Sequence, residues 1–125
     1  MTTQTRLRIQ NRTRPLAQTL TVTACVDFRC RLLGLMGRRD LAPDDGLLFR
    51  WPREGRADTG IHMLFMRFPI AVIWLNAAGQ VVDARRARPW VDFLIPRAPA
   101  QYVLELHADR LNDFAIGDEI TWHEI

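Results

Sequence analysis

With 125 residues, 48% hydrophobic and 25% charged, the chain has the size and make-up of a single domain, residues 1–125, able to bury a core without staples. It holds no lysine and no serine, and all 17 basic residues are arginine; this excludes a Schiff base, a Walker-type phosphate lysine and a Ser-His-Asp triad. The net charge of +3 is uneven, with 11 arginines against five acids in residues 1–56 and six against nine in residues 57–125. Such a map suits an anionic partner on one side, and equally a solvated surface in which arginine replaces every lysine.

In chain order, Leu7 and Ile9 alternate with polar neighbours, as do Leu20, Val22 and Ala24 with threonines, which predicts two half-buried strands on either side of Pro15. Asp27 is placed to cap a short helix running to about Met36, weakened by Gly34 and Gly37, which suit a close backbone approach or a left-handed stop. After the turn residues 43–46 comes a strand over 47–51 and a polar loop over 52–60. Residues 61–75 are apolar on both alternating faces, predicting two buried strands broken at Pro69. A turn at 76–79 leads to a strand from Val81, an arginine-rich loop over 85–90, a strand over 102–106, one helical turn within 108–114 and a closing strand over 119–123. Many short strands and one or two brief helices predict a mainly β fold, an antiparallel sandwich or barrel; the alternative is α+β with a larger helical share.

Cys25 and Cys30 are too few for a disulfide framework, and a helix between them would be awkward to bridge, so reduced thiols are expected. His62, His107 and His123 are scattered and no paired ligand spacing exists, so neither a metal nor a cofactor is expected. Residues 1–10 are polar, and no apolar run reaches membrane-spanning length. The expectation is a cytoplasmic protein without a membrane partner.

Charged residues within apolar strands are the candidates for function, because an ionised group is costly to bury unless it is paired. Arg67 shares an alternating face with Ile61, Met63 and Phe65, and Glu105 alternates against Tyr102, Leu104 and Leu106. Each could fix the fold at a strand end or by pairing, even with the other. Alternatively, Arg67 and Arg88 form a cationic pocket for a carboxylate or phosphate, with Trp90 as its aromatic wall. His62 reads as a core or edge histidine, or as the partner of Glu105 in acid–base chemistry of hydrolase type. Trp51, Trp74 and Trp122 read as packing residues, with an exposed sugar-binding face as the alternative.

Read in order, Gly34-Leu35-Met36-Gly37-Arg38, Gly46-Leu47-Leu48-Phe49, Phe65-Met66-Arg67-Phe68-Pro69-Ile70, Arg88-Pro89-Trp90, Tyr102-Val103-Leu104-Glu105-Leu106 and Gly117-Asp118 give a chain that resembles the domain of unknown function 192 family over about residues 20–122. The resemblance implies a mostly β domain of jelly-roll-like character and no reaction, cofactor or catalytic residue. This chain has Ala71 where the family commonly has aspartate, and His107-Ala108 where it often has Ala-Gly. The function expected is a small non-catalytic binding or accessory domain recognising an anionic small molecule or partner group through Arg67, Arg88 and Trp90. The alternatives are weak nucleic-acid binding by the arginine-rich first half and a hydrolase using His62 and Glu105.

Overall fold

The computed structural model describes residues 4–125; residues 1–3, the start of the polar N-terminal stretch, lie outside the described residues. The elements run β1 (Arg6–Asn11), β2 (Thr21–Cys25), α1 (Phe28–Leu33), β3 (Gly46–Gly55), β4 (Ile61–His62), β5 (Ile70–Leu75), β6 (Val81–Ala87), β7 (Phe93–Leu94), β8 (Ala100–His107), a 3-10 helix (Ala108–Asp113) and β9 (Ile120–Glu124). Seven strands form one sheet in the order β6-β5-β8-β3-β2-β1-β9, while β4 and β7 form a separate ribbon. With 44% strand and 9% helix, the fold is mainly β and not α+β, a sheet curled into a half-barrel. Its pairs are antiparallel apart from β2 and β3, which run parallel from Thr23–Leu47 to Cys25–Phe49.

The curl brings the two edge strands together. Gln80 bridges Glu119, the Ile120 N–H donates to Gly79 O at 2.9 Å, and the Val81 N–H donates to Asp118 O at 2.9 Å. Gly79 sits at φ +85°, and a Cβ there would lie 2.6 Å from Ile120 O, so this seam requires glycine.

Each face of the sheet buries its own cluster. The cluster that reaches both edges fills the curl, with Ile9, Val22, Ile73, Val81, Leu104 and Ile120 among its members. The other, with Phe49, Val72, Trp74 and Val103, is covered by Leu35, Leu41, Ile61, Met63 and Met66 from the irregular segments and the ribbon. Since β5 serves both, all six of its residues are buried, as a strand apolar on both faces demands. Trp74 is fully buried, and its indole N–H donates to Thr59 O at 2.8 Å, which makes it a packing residue. Arg110 is buried too; its guanidinium pairs with Asp113 and donates to Gln18 O and Pro43 O, tying two loops to the 3-10 helix.

Most predicted elements are present, with boundary corrections that have physical causes. Asp27 does cap α1, accepting from the Cys30 N–H at 2.7 Å. The helix ends at Leu33, not near Met36, because Gly34 turns into positive φ and donates its N–H to Cys30 O. Residues 52–55 extend β3, because Gly55 regains Ala100 as a partner after an irregularity. Residues 85–87 belong to β6, paired with Val72, Ala71 and Ile70. The expected free thiols are corrected: Cys25 and Cys30 form a disulfide across a Cα–Cα distance of 5.5 Å. Only Cys30 is helical, in the first turn; Cys25 ends β2, so the chain between them turns and does not span a helix. Thiol titration of the protein unfolded without reductant should therefore find no free thiol. The Cys25→Ala/Cys30→Ala variant should lose about 2 kcal/mol by the loop-closure argument, read from denaturant melts.

Candidate functional site

Of the described residues, three carboxylates are buried: Asp83, Glu105 and Asp118. Two are fully engaged. Asp83 accepts the Arg97 N–H and pairs with Arg85 and Arg97, and Asp118 accepts from Asn11, the Ala115 N–H and Arg14. Glu105 is different. It sits within β8 opposite Leu47 of β3 and Val72 of β5, is 6% exposed, and has no ion-pair or hydrogen-bond partner for its carboxyl among the described residues. Burial alone pushes its pKa up from 4.5 to about 7.

That carboxyl opens into a cavity of about 50 Å³ beneath α1 and the turn that follows it, room for a few waters or one small functional group. Leu35, Phe49, Met63, Met66 and Ile70 form apolar walls, and Leu32, Leu33, Trp51, Arg31 and His62 also line the space. Gly34 stands over the acid: a Cβ at Gly34 would lie 3.6 Å from Glu105 Oε1 and 3.3 Å from the Phe49 ring. The Arg31 guanidinium donates to Arg50 O at 2.9 Å and lies 5.9 Å from the Trp51 ring centre, but it has no carboxylate partner among the described residues. His62 Nδ1 accepts the Leu64 N–H at 3.3 Å, which leaves Nε2 as the protonated nitrogen of the neutral ring. Such a cavity, with a neutral acid and one guanidinium but no fixed negative charge at low pH, can donate hydrogen bonds to an anionic oxygen.

His62 and Glu105 therefore share one cavity, and the other three predicted residues do not line it. Arg67 is not in a strand; it is exposed in the turn before β5 and does not pair with Glu105. Arg88 is already held by Asp92, through a 2.8 Å ion pair and a 2.7 Å bond from its own N–H to the same carboxylate. That hydrogen bonding and charge raise the Arg88 pKa and lower that of Asp92. Trp90 is exposed and packs edge-on against Phe65 at 5.0 Å. Sequence reasoning missed Arg31 as a lining residue. Gly34 was legible as a close-approach glycine, but the group it approaches lies in a distant strand. Ala71 pairs with Leu106, one register position from Glu105, but belongs to the cluster on the opposite face of the sheet, and His107 Nδ1 caps the 3-10 helix by accepting the Asp109 N–H.

The raised Glu105 pKa has a definite sign. Below about 4.5 the carboxyl is protonated in folded and unfolded chains alike; between 4.5 and about 7 only the unfolded chain ionises, so stability falls as pH rises, and above 7 the loss is complete. A shift of this size corresponds to about 3 kcal/mol. Glu105→Gln should abolish that decline in a pH series of denaturant melts and be the more stable protein at neutral pH.

The chain is 40% identical over 117 residues to a UPF0127 protein of Thermococcus sibiricus, covering 90% of this chain and 72% of that one. It is 37% identical over 101 residues to a UPF0127 protein of Pyrococcus furiosus, covering 79% and 84%. Among solved structures, a proposed transcription regulator from Sinorhizobium meliloti 1021 matches with a TM-score of 0.82 and 27% identity over 96% of this chain and 94% of that one. A protein of unknown function from Novosphingobium aromaticivorans shares the fold, with a TM-score of 0.73 at 20% identity over 94% and 84%. The model of the family described as Uncharacterized ACR matches residues 8–122, and the chain belongs to this family, DUF192.

Proposed function

We infer that the domain is a non-catalytic binding module that takes the carboxylate of a small ligand into the Glu105 cavity. The observation that carries this reading is the carboxyl of Glu105, which has no partner among the described residues, in a space whose polar lining is otherwise cationic or neutral, Arg31 and His62 included. Protonated Glu105 donates to one ligand oxygen, while the Arg31 guanidinium offsets its charge from the mouth. This keeps the expected anionic ligand and moves its site away from Arg67, Arg88 and Trp90. Catalysis is not part of the reading: His62 and Glu105 make no hydrogen bond with each other, and no hydroxyl or thiol nucleophile is found among the described residues that line the cavity. The Cys25–Cys30 bond also favours an oxidising compartment over the expected cytoplasm.

Butyrate is a suitable probe. Below about pH 6 it should raise the melting temperature of the native protein, and above about pH 8, where Glu105 is ionised, it should not. Glu105→Gln, a permanent donor, should respond at both pH values and Glu105→Leu at neither. A native protein indifferent to butyrate throughout, or a Glu105→Leu variant that responds like it, overturns the reading.

A second reading, nucleic-acid binding, draws on the description of the Sinorhizobium protein and on exposed Arg12, Arg29, Arg38, Arg39 and Arg53. It requires a gel shift with duplex DNA whose affinity falls steeply with salt; absence of any shift at low salt removes it.

A further inference from the structure

The loops flanking the β4–β7 ribbon carry a feature that the Glu105 cavity does not use. Leu64, Phe65, Trp90, Val91 and Phe93 are between 48% and 68% exposed, and large apolar side chains grouped in this way mark an interaction surface. Phe65 and Trp90 both have positive φ, 62° and 66°, a region that bulky residues avoid and that costs energy to hold. Both backbones are pinned. The Gly37 N–H donates to Phe65 O at 3.0 Å and the Trp90 N–H to Met63 O at 2.8 Å, while the two rings pack edge to face. Strain is thus spent on turning two aromatic rings toward solvent.

We propose that this aromatic tip docks on the surface of an anionic lipid bilayer. Charge gives the first argument: in loop residues 63–68 and 88–95 the one carboxylate is Asp92, already neutralised by Arg88. Arg67 lies exposed beside Phe65, and Arg38 lies exposed next to the Gly37 that holds it. Basic residues near an anionic surface each add attraction, and aromatic rings suit the headgroup level.

Hydrogen bonding gives the second argument and favours lipid over a protein partner. Five backbone N–H groups of the tip, those of Leu64, Met66, Trp90, Val91 and Asp92, are already engaged, with His62 Nδ1 of β4, Met63 O, Met63 O, Pro89 O and Arg88 O respectively, which leaves few donors for a protein partner. Protein interfaces are cemented by hydrogen bonds across them, whereas a segment entering the acyl boundary must satisfy its polar groups internally. No helix of the described residues is long and apolar enough to cross a membrane, so the contact proposed is with one leaflet.

Co-sedimentation tests the proposal. The full chain should pellet with vesicles of phosphatidylcholine and phosphatidylglycerol, less so as salt rises, and should remain in solution with phosphatidylcholine alone. Phe65→Asn/Trp90→Asn, with residues that tolerate left-handed backbone, should weaken binding by about tenfold or more. Arg67→Gln, a change at an exposed position, should weaken it by about fivefold. Absence of binding to the anionic vesicles overturns the proposal, as does equal binding to both vesicle types or unchanged binding by a folded Phe65→Asn/Trp90→Asn variant. Self-association of the native protein that this variant abolishes, without vesicle binding, assigns the tip to a second copy of the chain and overturns it as well.

Discussion

A single sheet with two apolar faces has to be covered twice, and the described residues hold one six-residue α-helix with which to do so. The concave face solves the problem by curling, so that strands far apart in the sheet order share one cluster. The outer face has no such recourse and is roofed by turns, a short helix and a two-stranded ribbon. Irregular cover packs less uniformly than a helix layer, and the space left beneath it is where Glu105 resides. The cavity follows from how the sheet is roofed.

Within that arrangement Glu105 is a local conflict that the rest of the molecule avoids. Asp83 and Asp118 show that this chain partners its buried carboxylates with arginine, asparagine and backbone N–H groups. Leaving Glu105 without such partners sacrifices stability at neutral pH. Residues that break a local rule of this kind, without structural compensation, are where binding function is sought first. Gly34 sharpens the point, since its missing side chain keeps the space over the acid open.

The sequence made the strands legible because period-two alternation is imposed directly by a half-buried sheet, as in Leu7–Ile9 and Leu20–Val22. The doubly apolar 61–75 segment announced two strands buried on both sides, and this holds for 70–75, whereas the first strand is cut to Ile61–His62 and exposes Leu64 and Phe65 beyond it. Glu105 and His62 were visible as polar residues in apolar surroundings. What sequence could not supply was which distant groups meet them. Arg31 reaches the cavity from a helix some seventy positions earlier in the chain. Arg88 looked available because its partner Asp92 sits four residues on in a loop, where helical spacing rules give no warning. The disulfide was hidden for a similar reason, since its feasibility depends on whether the chain between Cys25 and Cys30 turns or coils. The parallel β2–β3 pair comes from a connection whose direction no local pattern encodes.

The seam at Gly79 and Ile120 also bears on how these molecules behave at high concentration. Where the first residues of β6 and β9 meet, the outermost strands satisfy one another and cannot template a neighbouring chain. Farther along β6, where the strand is paired on one side only, by β5, exposed Arg86 adds charge. A sheet that bites its own tail in this way leaves less free strand edge for strand-by-strand stacking into fibrils.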